Sequence, residues 1–339
     1  MTPPASRFVR ISAAASGALL LAASTPQALG QLVIGTDDPN FGLWLYSIPR
    51  GEWRQIATGP GTGAWGLAAD DDGGMLYVSS GISLYRISYQ TLQPELVGLV
   101  IPGGAMVGLA WGHGVLFGVK STSPRGIYAI DTTTAVSYLV FPVDDALDLG
   151  GLDFNVQDGL LYATNDGPGL MGPGLYRIDP ATGTVTFVTS YPGTEDEPDI
   201  DGLAITRNGR AYLITDKPGV IASYNISLDR YQVAIPSPVM QDQIFAAGAW
   251  APRLVSRVWC TADMSGSVDP DANEYGVPDG VVDASDFFYF LDQFAAGNLS
   301  RADLTGTVDP GDPGYGQPDG VLDAADFFYF LDRFVEGCD

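Results

Sequence analysis

Between Gln31 and about Arg253 the chain alternates short apolar runs with turns rich in Gly, Pro and Asp. Four segments open on Gly-Leu: Gly66-Leu67-Ala68, Gly108-Leu109-Ala110, Gly151-Leu152-Asp153 and Gly202-Leu203-Ala204. Each is followed by a pair of strand-like runs. They are Met75–Val78 with Leu84–Ile87, Val115–Gly118 with Ile127–Ile130, Leu160–Ala163 with Leu175–Ile178, and Arg210–Leu213 with Ala222–Asn225. A last run, such as Thr184–Val188, closes the unit. Short strand-like runs at this spacing, with Gly, Pro and Asp turns between them, argue an all-β fold. Units of roughly 42–50 residues with four strands each predict an all-β propeller.

The two ends of this region complement each other. Leu32–Gly35, Leu43–Tyr46 and Trp53–Ile56 read as the second, third and fourth strands of a unit that lacks its first. Ala246–Trp250 reads as that missing strand. A blade shared between the two ends would close the ring and remove free sheet edges. The count is then five blades. Six is the alternative count, and an open β-sandwich is the rival architecture.

From Cys260 onward the period changes. Asp286-Phe-Phe-Tyr-Phe-Leu-Asp292 recurs as Asp326-Phe-Phe-Tyr-Phe-Leu-Asp332, and Pro278-Asp-Gly-Val281 as Pro318-Asp-Gly-Val321, at a constant offset of 40 residues. Phe287, Phe290, Leu291 and Phe294, and again Phe327, Phe330, Leu331 and Phe334, lie on one helical face. Each copy can be laid on the calcium loop of an EF-hand, with oxygen ligands at positions 1, 3, 5, 7, 9 and 12 and Gly at 6. The first copy then offers Asp263, Ser265, Asp279, the Val281 carbonyl, Asp283 and Asp286, with Gly280 at the turn. The second offers Asp303, Thr305, Asp319, the Val321 carbonyl, Asp323 and Asp326, with Gly320 at the turn. Insertions at Ser267–Pro278 and Thr307–Pro318 separate positions 4 and 5.

Two tandem calcium loops, each followed by one helix, resemble a type I dockerin. The Cys260-Thr-Ala-Asp263 start, the repeated Pro-Asp-Gly-Val and Asp-Phe-Phe-Tyr-Phe-Leu-Asp segments and the final Cys338 are similar to the GC-type dockerin of secreted bacterial proteins. The resemblance covers Cys260 to Asp339. It implies two bound calcium ions and a partner that is cohesin-like or another cell-envelope protein. The chain departs from the pattern twice. Ser265 and Thr305 stand where Asp or Asn is usual, and the usual loop has no insertion. Asp269, Asp271, Asp309 and Asp312 offer substitute ligands from the insertions.

Charge sharpens this division. The chain of 339 residues carries a net charge of −24. From Trp259 onward stand 17 acidic residues and two arginines, Arg301 and Arg333. Such a field repels nucleic acid and anionic membranes, and a foldable segment this acidic calls for a cation. The first thirty residues read as a signal peptide, with Arg7 and Arg10, an apolar stretch over residues 11–24, and Ala28-Leu29-Gly30 before a cut at Gln31. An N-terminal membrane anchor is the alternative, for which the apolar run is short. Cys260 and Cys338 bracket the acidic segment. In an exported protein that placement suggests one disulfide, with two unpaired thiols as the alternative. The expected organisation is a signal peptide (1–30), a propeller (31–253), a linker (254–259) and the calcium module (260–339).

The chemistry available to the propeller is narrow. The chain has one histidine, His113, in a Trp-Gly-His-Gly turn, where an ordinary loop role is expected. One loop histidine leaves no His-rich zinc site, and Ser-His or Cys-His chemistry is not expected of it. Carboxylates remain on one expected face: Asp37, Asp38, Asp148, Asp166, Asp199, Asp201 and Asp216. Paired acids of this kind could serve a glycoside hydrolase, but Asp in turns is also ordinary turn chemistry. Trp44, Trp53, Trp65, Trp111 and Trp250 could stack sugars or fill the space between blades. The expected function is therefore a secreted, non-catalytic binding or scaffold propeller at the cell surface, tethered through a calcium-dependent dockerin-like module. An anchored glycoside hydrolase is the alternative.

Overall fold

A computed structural model describes residues 31–337 except 49–50, 103, 121, 170, 194–199, 216–219, 237–243, 255–259, 273–274, 277 and 279–280. The expected signal peptide, most of the linker, Cys338, Asp279, Gly280, Asp199 and Asp216 therefore lie outside the described residues. The region from Gln31 to Trp250 forms five antiparallel sheets of four strands each, a five-bladed propeller.

Blade one holds β4 (Gly66–Asp70), β5 (Met75–Ser80), β6 (Ser83–Ser88) and β7 (Pro94–Leu99). Blade two holds β8 (Gly108–Gly112), β9 (Val115–Lys120), β10 (Gly126–Ile130) and β11 (Ser137–Pro142). Blade three holds β12 (Leu149–Asn155), β13 (Leu160–Asn165), β14 (Gly174–Ile178) and β15 (Val185–Ser190). Blade four holds β16 (Gly202–Ile205), β17 (Arg210–Ile214), β18 (Val220–Asn225) and β19 (Arg230–Pro236). The fifth blade joins the chain ends: β1 (Gln31–Thr36), β2 (Gly42–Ser47) and β3 (Glu52–Thr58) take their inner strand from β20 (Phe245–Trp250). Leu32 faces Trp250 across this seam, Val33 faces Ala249, and Ile34 faces Gly248. The shared blade expected from the sequence is thus formed, and the count is five rather than six.

The Gly-Leu motifs begin the inner strands, and their glycines are spacers. A Cβ on Gly108 would lie 2.3 Å from the carbonyl oxygen of Gly150. On Gly66 it would lie 2.9 Å from the backbone of Gly108 and Leu109, on Gly151 2.7 Å from Gly202, and on Gly202 3.0 Å from Ala247. Each inner strand therefore backs directly onto the next around the axis. The leucines beside these glycines, Leu67, Leu109, Leu152 and Leu203, are buried. They belong to five apolar clusters, one between each pair of neighbouring blades. Leu254, assigned to the linker by sequence, is fully buried in the cluster between the fifth blade and blade one, so the propeller's packing runs past Arg253.

The acidic segment folds around two helices, α1 (Ala284–Ala295) and α3 (Ala324–Glu336), with a single turn α2 (Leu299–Ala302) between the repeats. The expected helical faces meet. Phe290 and Phe330, equivalent in the two copies, stack at 4.0 Å with planes 4° apart. The pairs Phe287–Phe334 and Phe294–Phe327 flank them at 5.9 and 6.3 Å. The duplication therefore packs on itself about a local two-fold axis through the stacked rings.

Overpacking at the axis gives a direct test of the glycine spacing. Gly108→Ala is expected to destabilise the propeller by about 2–3 kcal/mol or more, because the obstruction is backbone and cannot rotate away. Gly193→Ala, whose added Cβ meets nothing within 4 Å, should cost under about 0.5 kcal/mol. Denaturant titration of both variants measures the difference.

Candidate functional site

Two regions carry chemistry: the repeat loops of the C-terminal module, and the propeller face on which the inner strands end.

In each repeat the residue at position 12 organises the loop. Asp286 and Asp326 are fully buried. Asp326 Oδ1 accepts the backbone N–H groups of Leu304 (2.6 Å) and Thr305 (2.9 Å), and Oδ2 accepts that of Asp323 (2.9 Å). Asp286 does the same with Met264, Ser265 and Asp283. Asp283 and Asp323 are the N-caps of α1 and α3, each in a capping box with the position-12 carboxylate. In the second loop Asp303, at position 1, accepts from the N–H groups of Asp319 (3.2 Å) and Gly320 (2.8 Å), at positions 5 and 6. Burial raises the Asp303 carboxyl above its ordinary range, its two backbone hydrogen bonds oppose that, and the charges of Asp326 and Asp319 add to it.

The position-3 hydroxyls do something the spacing did not reveal. Ser265 Oγ donates to Ser267 O (2.7 Å) and accepts from Gly276 N (2.9 Å). Thr305 Oγ1 donates to Thr307 O (2.9 Å) and accepts from Gly316 N (2.8 Å). Both hydroxyls are buried and pin the two ends of the insertion together. Each insertion is held a second time by a tyrosine. Tyr275 donates to Asp292 (2.7 Å) on α1, and Tyr315 to Asp332 (3.2 Å) on α3.

As a calcium site, the donor set is all oxygen and fits a hard divalent cation. One lone pair remains on Oδ2 of Asp326 once its backbone bonds are counted, so this geometry offers a single oxygen at position 12 rather than two. Val281, Val321, Asp283, Asp319 and Asp323 are exposed. Among the described residues no group of three or more His, Cys, Asp or Glu side chains is drawn close enough to hold a metal. Asp279 lies outside them. Cys260 is buried at the start of the module.

On the propeller, the inner-strand ends surround a cavity of about 110 Å3 at the channel mouth. Asp70, Trp111, Asp153, Ile205 and Trp250 come from the five inner strands, and Asp71, Asp72 and Arg207 from the turns beside them. Asp153 accepts from the backbone N–H of Ile205 (2.5 Å), on the next blade, and of Phe154 (2.8 Å). Burial nevertheless pushes its carboxyl up to about 7. Trp111 stacks on Tyr77 at 5.6 Å and Trp250 on Tyr212 at 5.9 Å, each across a blade boundary. These tryptophans are therefore part of the packing between blades. His113 sits at φ 50° in the β8–β9 turn with its ring 4.9 Å from that of Phe154.

Of the carboxylates expected to act together, the described ones, Asp37, Asp38, Asp148, Asp166 and Asp201, lie toward the opposite face. Asp37 accepts from Trp65 Nε1 (2.5 Å), and burial together with the Asp38 charge raises its carboxyl. Asp148 and Asp166 are joined through backbone, and Asp201 abuts Gly150 at the start of β12. The residues that sequence reasoning missed are Asp71, Asp72, Asp153, Arg207 and Arg253. The signal available was the run Asp70-Asp71-Asp72-Gly73-Gly74, an acidic turn denser than its counterparts in the other blades.

No protein-family pattern matches the chain, and no curated protein matches it. Solved structures do resemble it. One is a chain in the crystal structure of a nidogen/laminin complex, with a TM-score of 0.49 and 12% identity over 66% of this chain and 98% of that one. Another is TolB from Acinetobacter baumannii, with a TM-score of 0.45 and 12% identity over 66% of each chain. Likeness at this level says nothing of ligand or partner. No described helix is long and apolar enough to cross a membrane.

Asp153 makes a pH prediction. Unfolded, its carboxyl ionises near the ordinary value of about 3.9, and folded it ionises at about 7. The folded state binds the extra proton between those values, so the contribution of Asp153 to stability falls as pH rises through that window. The carboxyl carbon of Asp153 should titrate near pH 7 by NMR, and the propeller's unfolding midpoint should fall between about pH 4 and about pH 7 and level off above that. Titration near the ordinary Asp value would refute the assignment.

Proposed function

We propose that this chain is an exported, non-catalytic binding or scaffold propeller, carried by a C-terminal module of dockerin type that takes two calcium ions and docks on a cohesin-like or other cell-envelope partner. The observation that carries this reading is the internal geometry of the two repeats. A fully buried carboxylate at position 12 gathers the backbone of positions 2, 3 and 9 in both loops. In the second loop the position-1 carboxylate closes on positions 5 and 6. That arrangement orders the backbone of both loops at two equivalent places, around which the exposed Asp283, Asp319 and Asp323 would close on a bound ion. Calcium, when bound, supplies the positive charge that offsets the carboxylate repulsion felt at Asp303. Asp263, Asp279, Asp283 and Asp286, with the Val281 carbonyl, would hold one ion. Asp303, Asp319, Asp323 and Asp326, with the Val321 carbonyl, would hold the other. Ser265 and Thr305 hold the insertions in place beside them.

Partner docking is supported by what the module leaves uncovered. Phe288 and Phe328, equivalent in the two repeats, are 52% and 55% exposed, and the equivalent Val281 and Val321 are exposed as well. Large apolar side chains held outward on rigid helices are the usual material of a protein interface. A binding role for the propeller is supported by its channel-mouth cavity, which brings Arg207 and four acidic residues to apolar walls. On the start face the Asp37 carboxylate is taken up by Trp65 and that of Asp166 by the backbone N–H of Ile200, whereas a hydrolase would need a pair of free acids.

Calorimetry on the full chain tests the calcium reading. Two ions are expected for the parent and one each for Asp286→Ala and Asp326→Ala. At 100 times the dissociation constant each ion should stabilise the module by about 2.7 kcal/mol. A parent that binds no calcium would sink the reading.

The two cysteines give a separate test. A Cys260–Cys338 disulfide would clasp the module's ends and stabilise it by roughly 4–5 kcal/mol on the chain-entropy view. Exported protein denatured without reductant should then react with no thiol-alkylating reagent. Two alkylated cysteines would show that the clasp is absent.

A further inference from the structure

The acidic module reaches the propeller through positive charge. Arg301, one of the module's two arginines, donates from Nη2 to the carbonyl oxygens of Asp71 (3.0 Å) and Asp72 (2.9 Å) in the β4–β5 turn. Arg253, just past β20, donates from Nη1 to Asp72 (2.5 Å) and from its backbone to Asp71 (3.1 Å). Its Nε donates to the carbonyl of Gly276 in the first insertion (2.7 Å). Arg207 adds a third guanidinium, 3.7 Å from Asp71 and 3.4 Å from Asp72. Beside this cluster Gln90 donates to Leu299 O (3.1 Å) on α2. Burial raises the Asp71 carboxyl, against the pull of Arg253, Arg207 and Arg301.

We propose that Arg253 and Arg301 latch the C-terminal module onto the Asp71–Asp72 corner of blade one, so that propeller and module move as one body and loading of the repeat loops is coupled to docking. The latch reaches both loops. The Gly276 held by Arg253 donates its own N–H to Ser265, position 3 of the first loop. Arg301 stands two residues before Asp303, position 1 of the second. A loop that loosens therefore carries its latch contact away, and a broken latch leaves the loop to order itself alone. Coupling of this kind is reciprocal: whatever factor docking adds to ion affinity, the ion adds to docking. Phe288 and Phe328 stay exposed in the docked arrangement, so the latch orients the module without covering that surface. The latch residues Asp71, Asp72 and Arg207 also wall the channel-mouth cavity, which puts both elements at one end of the molecule. The coupling half of this proposal rests on the calcium reading; the latch half does not.

Small-angle scattering of the full chain at low salt, with calcium, decides the latch. The parent should be compact. Arg301→Glu on the module and Asp72→Arg on the exposed propeller turn should each give an expanded particle, with circular dichroism showing the β content unchanged. Variants as compact as the parent, or a parent already extended, would overturn it. Calcium titration of the same proteins decides the coupling. Arg301→Glu should weaken calcium binding about five-fold or more. Equal affinity in parent and variant would overturn the coupling. A parent that binds no calcium would remove both coupling and calcium reading, while the scattering still decides the latch.

Discussion

Five inner strands meet around one axis with their backbones in contact, and the rest of the propeller follows from that closeness. A carbonyl oxygen of one blade lies 2.3 Å from where the Cβ of Gly108 would stand, so only glycine fits. The side chains that cannot point toward the axis point between blades, and there the five apolar clusters form. Because every blade leans on both neighbours, a ring with one strand missing would expose two cluster faces at once. The chain avoids this by lending β20 from its far end to β1 and β2. Closure of this kind leaves no inner edge to pair with another chain.

The module solves a different problem, that of a short acidic segment with little apolar surface. Its core is one aromatic stack on a local two-fold axis, Phe290 on Phe330 with their flanking phenylalanines. Such a core orients two helices, but it does not order the long loops in front of them. Buried polar groups do that. Asp286 and Asp326 each satisfy three backbone N–H groups that a loop would otherwise leave bare. Ser265 and Thr305 tie down the insertions, which explains why a hydroxyl serves at position 3. It can donate and accept at once, whereas a carboxylate only accepts.

The two halves meet where their charges differ in sign. A segment with 17 acidic residues would be held off an acidic propeller by simple repulsion. Arg207, Arg253 and Arg301, gathered on Asp71 and Asp72, overcome this locally. Leu254, buried between blades, anchors the chain as it leaves the ring.

Much of this was legible in the sequence, because repetition makes local patterns unambiguous. Short apolar runs such as Leu160–Ala163, set between Gly and Asp turns, read as strands, the Gly-Leu starts marked the inner ones, and Ala246–Trp250 was recognisable as a strand without a partner of its own. The phenylalanine faces of α1 and α3 were fixed by their spacing. What spacing along the chain cannot carry is which atoms meet across it. The roles of Ser265 and Thr305 depended on where insertions of twelve residues return. The turn at Asp71 looked like solvated acid until Arg253 and Arg301, about 180 and 230 positions away, arrived beside it. Asp153 looked like one aspartate among many, and only burial beside the next blade lifted its carboxyl to about 7. Strand and helix are decided by neighbours a few residues apart. Hydrogen-bond partners and local dielectric are set by groups that only the folded chain brings together.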